Sequence, residues 1–332
     1  MKTFDYVAPD SVDTAVERLG ADPDSTILAG GTNLVDLMKL GVCTPDTLID
    51  IGALPLDQVQ LAESGELQIG ANVRNSDLAA NPVVRTRYPV LSQALLAGAS
   101  GQLRNMATTG GNLFQRTRCP YFMDTGKACN KREPGSGCSA VTGVNRDMAI
   151  LGASPQCVAT HPSDMAVALA VLEPQLEVLG PAGQRFVPFD ALYRLPGDHP
   201  ELDTILERDD LVVSVTVPQL PAARSSTYRK VRDRASFAFA LVSVAAVLEV
   251  QNGAVSAVRI ALGGVAHKPW RARAAEERLI GRTANRSEFA AAIDLELQTA
   301  QALSDNGFKI PMVRSLVTQT LVELADDEEA KR

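Results

Sequence analysis

The rhythm of hydrophobic and polar positions divides the chain into stretches of different character. From Ser25, STILAG reads as a strand, Gly30-Gly31 as a turn and NLVDLMKLG as a helix; TLIDI and ELQIGA read as further strands. Asn75, Ser76 and Asp77 are N-cap candidates for a helix running through DLAANPVVR, and VLSQALLAGA predicts a second helix. Strands and helices alternate, which predicts an α/β region. From Gln102 to Pro162 the periodicity breaks into Gly, Pro, Asn, Cys and Arg, and irregular segments of that length inside compact domains are usually functional or disordered. Beyond it, SDMAVALAVLE predicts an amphipathic helix opened by Ser163 and Asp164, QLEVLGP and LVVSVTVP predict strands, and PQLPAARSS a linker. After Ser226, two apolar runs meet at Asn252-Gly253, a hairpin signal. Helical stretches follow around RARAAEERLIG, SEFAAAIDLELQTAQAL and PMVRSLVTQTLVELA, which predicts an α+β module.

Composition narrows the function classes. At 332 residues the chain exceeds the usual single domain, and a 45% hydrophobic content provides a core that needs no disulfides. The net charge of -7, without a basic run, disfavours a nucleic-acid or anionic-membrane surface. No apolar run is long enough to span a bilayer, and no apolar segment stands behind the N-terminal lysine. The expectation is a chain without membrane insertion or its own export signal, cytoplasmic by default. Its terminal DDEEAKR is expected to be a frayed, solvated helix end. The three histidines, His161, His199 and His267, fall in no nucleophile or zinc-protease motif, so a hydrolase triad has little support.

The candidate chemistry lies in two glycine turns and a set of thiols. LAGGTNL, residues 28–34, places Gly30-Gly31 between a strand and a helix, where glycine permits positive φ and close approach of a ligand. Alone it reads first as a plain tight turn, since a lone Gly-Gly is weak evidence of a site, and it is neither a Walker A nor a G-x-G-x-x-G motif. A second donor-rich turn, Thr108, Thr109, Gly110, Gly111, Asn112 and Leu113, changes the weighing, because two such turns can grip one diphosphate. Four of the five cysteines, Cys119, Cys129, Cys138 and Cys157, fall in one segment, with Cys43 outside it as a structural or exposed free thiol. Four thiolates complete either a tetrahedral zinc site or one [4Fe-4S] cube, and the spacing does not choose between them. Arg116, Arg118, Lys127, Lys131 and Arg132 crowd the segment and would offset a cluster's negative charge, unless they form only a solvated basic loop.

Together, LAGGTNL, ATTGGNL and HPSDMAVAL resemble the FAD-binding subunits of the xanthine dehydrogenase and aldehyde oxidoreductase family of molybdenum hydroxylases, along nearly the whole chain. GASGQLRNMATTGGNLFQRTRCPYF, CNKREPGSGC, YRKVRDRASFAFALVSVAA and ALGGVAHKPWR are closer still to the periplasmic aldehyde oxidoreductase branch, whose flavin subunit carries an iron-sulfur insertion. The resemblance implies an α+β protein. A two-lobed FAD-binding domain of the PCMH / vanillyl-alcohol-oxidase-like type would cover residues 1–222, with lobes of about 1–55 and 56–222 and an iron-sulfur insertion at about 116–157. A C-terminal α+β domain like that of CO dehydrogenase flavoproteins would cover 226–326.

It further implies FAD held by Leu28, Ala29, Gly30, Gly31, Thr32, Asn33 and Leu34 and by residues 108–113. Asp164 would contact the flavin's sugar-phosphate region, His161 would be a cap or flavin-pocket residue, and Lys230 would stand near the isoalloxazine edge, where a cation stabilises reduced flavin. The [4Fe-4S] ligands would be the four clustered cysteines. The implied partners are a large molybdopterin-binding subunit, a small [2Fe-2S] subunit and an external electron acceptor. Export would then proceed through a partner's twin-arginine signal. The residues alone leave open a stand-alone FAD-dependent reductase and a zinc-stapled, non-redox scaffold subunit.

Overall fold

The structure, a computed structural model, describes residues 1–330. Its first layer is a parallel sheet of β1 (Asp5–Val7), β2 (Ser25–Leu28) and β3 (Thr47–Asp50) in the order β1-β3-β2. Parallel strands need crossovers, and the helix Val12–Ala21 supplies the one from β1 to β2. Ser11 caps it by accepting the Thr14 N–H, and Ala15, Val16 and Leu19 bury their face in a cluster with Ile49 and Ile51.

An antiparallel sheet follows, made of β4 (Val59–Leu61), β5 (Leu67–Gly70), β6 (Gln175–Gly180), β7 (Gly183–Pro188) and β8 (Leu211–Val217), in the order β4-β5-β8-β6-β7. Between β5 and β6 the chain leaves the sheet. The helix expected through DLAANPVVR is two helices, Asn75–Ala80 and Pro82–Arg87, because Pro82 has no N–H to continue the first. Asn81 caps the second through the Val83 and Val84 N–H groups, while Arg74, not the polar trio, occupies the first N-cap. The stretch from Gln102 to Pro162 is less irregular than expected and holds short helices at Thr109–Leu113, Pro120–Met123 and Ser139–Thr142.

The helix Asp164–Leu172 opens at Ser163 as expected, with Ser163 Oγ accepting the Ala166 N–H at 2.9 Å. It is not amphipathic. All its residues are buried, because the helix Pro89–Ala97 packs against it on one side and the C-terminal sheet on another.

The C-terminal sheet contains β9 (Ser226–Val231), β10 (Val242–Gln251), β11 (Ala254–Gly263) and β12 (Trp270–Arg271), in the order β12-β11-β10-β9. Asn252 at φ 52° and Gly253 at φ 77° give the β10–β11 turn two left-handed residues, as the Asn-Gly pair predicts. The helices Arg273–Leu279, Arg286–Glu296 and Lys309–Ala330 follow, the last two packed together. Val242, Val244, Ala246 and Leu248 face these helices, whereas Ala245 and Val247 join the core around Asp164–Leu172. A strand buried on both faces explains the near-continuous apolar run of β10. Of the expected frayed end, Lys331 and Arg332 lie outside the described residues. No helix among the described residues is long and apolar enough to cross a membrane.

Candidate functional site

A cavity of about 1060 Å³ lies among the first sheet, the second glycine turn, the start of the Asp164–Leu172 helix and the C-terminal sheet. Both turns line it. Gly31 takes φ +70°, and a Cβ on Gly30 would collide with the Met106 carbonyl, so the first turn lies against the residues that lead into the second. The second turn is fastened to the end of β5, with Gly110 N–H donating to Ala71 O at 2.8 Å and Thr109 N–H to Val73 O at 2.9 Å. Thr108 Oγ1 accepts the Gly111 N–H at 3.1 Å. A Cβ on Gly111 would come within 2.9 Å of that hydroxyl.

Of the residues expected at the flavin, positions 29–34, Thr108, Gly110, Gly111, Asn112, His161, Asp164 and Lys230 line the cavity. Leu28, Thr109 and Leu113 do not. Leu28 closes β2, Thr109 spends both its N–H and its hydroxyl on Val73 O, and Leu113 is a core residue at 1% exposure. Asn33 Oδ1 accepts the Arg116 N–H at 2.8 Å, which leaves its Nδ2 buried with no partner among the described residues. His161 Nδ1 accepts the Ser163 N–H at 3.3 Å, so this network assigns the proton to Nε2, which is likewise buried and unpartnered. Burial lowers the His161 pKa to about 3, and the ring stays neutral at ordinary pH. Two orphaned donors beside two turns free of side-chain bulk fit a ligand rich in acceptors, as a dinucleotide diphosphate is.

Lys230 and Asp164 meet each other. Lys230 Nζ donates to Asp164 Oδ2 at 2.7 Å, with side chains only 4% and 9% exposed, and Tyr228 donates to Asp164 Oδ1 at 2.5 Å. Lys230 is thus neither a solvent-exposed side chain nor a free cation. It is half of a buried pair on the cavity wall, and such a pair is costly to break on one side only. Burial, then Asp164, pushes the Tyr228 phenol well above its ordinary pKa and keeps it a donor.

The cysteine segment folds into a small core of its own. Cys119, Cys129 and Cys157 are buried together with Phe122, Met148 and Val158, and Cys138 packs on them. All four are free thiols, and Cys129 and Cys138 face each other across an antiparallel bridge. Burial raises the Cys119 pKa against hydrogen bonds from the Phe122 and Tyr121 backbone, and it pushes Cys157 up to about 12 against the Ala159 backbone and Lys131. The electrostatics couple Cys119 to Cys129 and Cys138, and Cys157 to Cys138 and Cys119. Cys43 also touches this core and lines the cavity, so it is a half-buried wall residue, not an exposed thiol. The segment supplies four thiols and backbone donors beside them, the residue types that a four-thiolate centre takes. Among the described residues, however, no three His, Cys, Asp or Glu side chains are set to hold a metal ion.

Four of the five cations are engaged, and Lys127 is exposed. Arg132 donates to the carbonyls of Tyr121, Phe122 and Lys127, and Arg118 lies over the Phe239 ring at 5.2 Å. Arg116 and Lys131 both reach Asp203, a residue that no motif had singled out.

Residues 2–220 match the family described as the FAD binding domain in molybdopterin dehydrogenase, and residues 226–325 match the CO dehydrogenase flavoprotein C-terminal domain. The chain is 48% identical over 325 residues to the aldehyde oxidoreductase FAD-binding subunit PaoB of Escherichia coli (strain K12), covering 97% of this chain and 98% of that protein. It is 28% identical to the carbon monoxide dehydrogenase medium chain of Hydrogenophaga pseudoflava, covering 96% of each. A solved carbon monoxide dehydrogenase from Hydrogenophaga pseudoflava, lacking the Mo-pyranopterin moiety of the molybdenum cofactor, superposes with a TM-score of 0.74 at 28% identity, covering 96% of each chain.

Proposed function

Because this chain belongs to the family of FAD-binding medium subunits of molybdenum hydroxylases, we propose that it is the FAD- and [4Fe-4S]-carrying electron-transfer subunit of a molybdenum-dependent aldehyde oxidoreductase. The observation that carries the reading is the cavity, with both glycine turns and the orphaned donors of Asn33 and His161 on its wall. The aldehyde class rests on the 48% identity to an aldehyde oxidoreductase FAD-binding subunit. Residues 29–34, Thr108 and 110–112 hold the diphosphate region, Asn33 Nδ2 and His161 Nε2 donate to ligand oxygens, and the Asp164–Lys230 pair fixes the wall. Bound FAD supplies the exchange of electrons between a partner's cluster and an external acceptor. Cys119, Cys129, Cys138 and Cys157 hold the cube, supported by their gathering in one core and by the backbone donors at Cys119 and Cys157. The partners are a large molybdopterin-binding subunit, where the aldehyde reacts, and a small [2Fe-2S] subunit.

Anaerobic analysis of the purified complex tests this reading. FAD should extract at about one per chain, with about four iron and four sulfide beyond the [2Fe-2S] partner's content. Zinc in place of iron would overturn the cluster assignment alone. A flavin-free complex of full activity would overturn the subunit's role.

A further inference from the structure

Asp203 lies in the irregular stretch between Leu192 and β8, and its carboxylate gathers groups from distant parts of the chain. Oδ1 accepts from Lys131 Nζ at 2.5 Å, Oδ2 meets Arg116 Nε at 2.7 Å, and His267 Nε2 stands 3.5 Å from Oδ1. Each partner leads elsewhere. Lys131 sits in sequence between Cys129 and Cys138, its side chain 1% exposed, and also donates to Pro200 O at 2.6 Å. Arg116 lines the cavity, and its backbone N–H holds Asn33 of the first glycine turn. His267 follows β11, and its Nδ1 is 3.2 Å from the carbonyl of Ala159, two residues beyond Cys157. One carboxylate is therefore a single contact away from the cysteine segment and from the cavity wall.

We propose that Asp203 is a positioning residue that couples ligand binding in the cavity to the order of the cysteine segment. The proposal rests on the reading of the cavity as the FAD site. Arg116, 35% exposed beside the cavity, shares Asp203 with the buried Lys131, so it keeps positive charge with which to meet an anion. A bound diphosphate balances that charge and steadies Arg116, and through Asp203 it steadies Lys131. Coupling of this kind is reciprocal, so an ordered cysteine segment also tightens the hold on the flavin.

Hydrogen exchange on the full chain, stripped of flavin and then reloaded with FAD, tests the coupling. In the wild-type chain FAD should slow exchange in residues 28–34 and 108–113 and, by about ten-fold, in 127–138. In Asp203→Asn, FAD should still protect both turns but no longer protect 127–138, and Asp203→Glu should restore that protection. If Asp203→Asn does not fold, Lys131→Met, which leaves Asp203 its Arg116 partner, carries the same expectation. Equal protection of 127–138 in the wild type and the uncoupled variant, or turns protected without 127–138 in the wild type, overturns the proposal. Turns left unprotected by FAD in the wild type overturn the flavin placement itself, and the coupling with it.

Discussion

At Gly111 the absence of a side chain is a requirement set by Thr108. A Cβ there would press on the Thr108 hydroxyl at 2.9 Å and fill space at the mouth of the turn. Gly111→Val is expected to bind FAD at least about ten-fold more weakly, about 1.4 kcal/mol, while its circular dichroism stays native. Undiminished flavin content in the folded variant would remove the turn from the site. His161 offers a pH-dependent test. Burial holds its folded pKa near about 3 against an ordinary 6.5, so between those values the unfolded chain binds a proton that the folded chain does not. Stability is therefore lost as pH falls through that window, by about 2 kcal/mol between pH 7 and pH 5 from this residue alone. Urea unfolding at both pH values should show that extra loss in the wild type and not in His161→Gln, which keeps an acceptor for the Ser163 N–H. Parallel losses in the two proteins would mean that His161 is already protonated when folded.

Among the elements, the cysteine segment is the one whose stability the proposed cluster would govern most. Its core is small and seven of its fifteen residues are Cys or Met, so metal-ligand bonds would replace much of the burial that holds an ordinary domain. Cys129→Ser should lose iron and render residues 116–157 sensitive to limited proteolysis, with Cys43→Ser retaining its iron and its resistance. Cleavage patterns that agree between the two variants would show that the segment stands on its packing alone. Elements specified by nearby residues were legible in the sequence: the Asn252-Gly253 hairpin, the Ser163 cap and the strand before Gly30. The amphipathic expectation for the Asp164–Leu172 helix passes over such a signal, since every residue after Asp164 is apolar and a helix apolar on all sides is a buried one. Elements decided by distant packing were not legible. Lys230 and Asp164, each readable as a separate cofactor contact, are brought together by β9 docking beside the helix start, and nothing in a 66-residue separation announces the pair. Asp203 gave no signal at all, since a lone aspartate in PELDTI matches no motif.

Taken whole, the molecule exposes apolar side chains near the places where chemistry is expected. Phe237 and Phe239, both on the cavity wall, are 54% and 51% exposed, and Val144 of the cysteine segment is 69% exposed. Such residues are the usual material of subunit interfaces. Flavin release from the isolated chain is expected to be about ten-fold faster than from the assembled complex, since partners that bind the folded state stabilise it. Stopped-flow fluorescence of the freed flavin measures both rates, and equal rates would mean that assembly does not cover the site. The cavity wall has another consequence, which concerns synthesis. Its contributors begin at Leu19 and extend to Gly264, and the Gly264 carbonyl is itself held by the buried Lys309 at 2.7 Å. Domains that close on local contacts can be finished while the ribosome is still at work, but this cavity cannot. The glycine turns are synthesised before that wall is complete, so flavin loading is expected only after translation has passed Lys309.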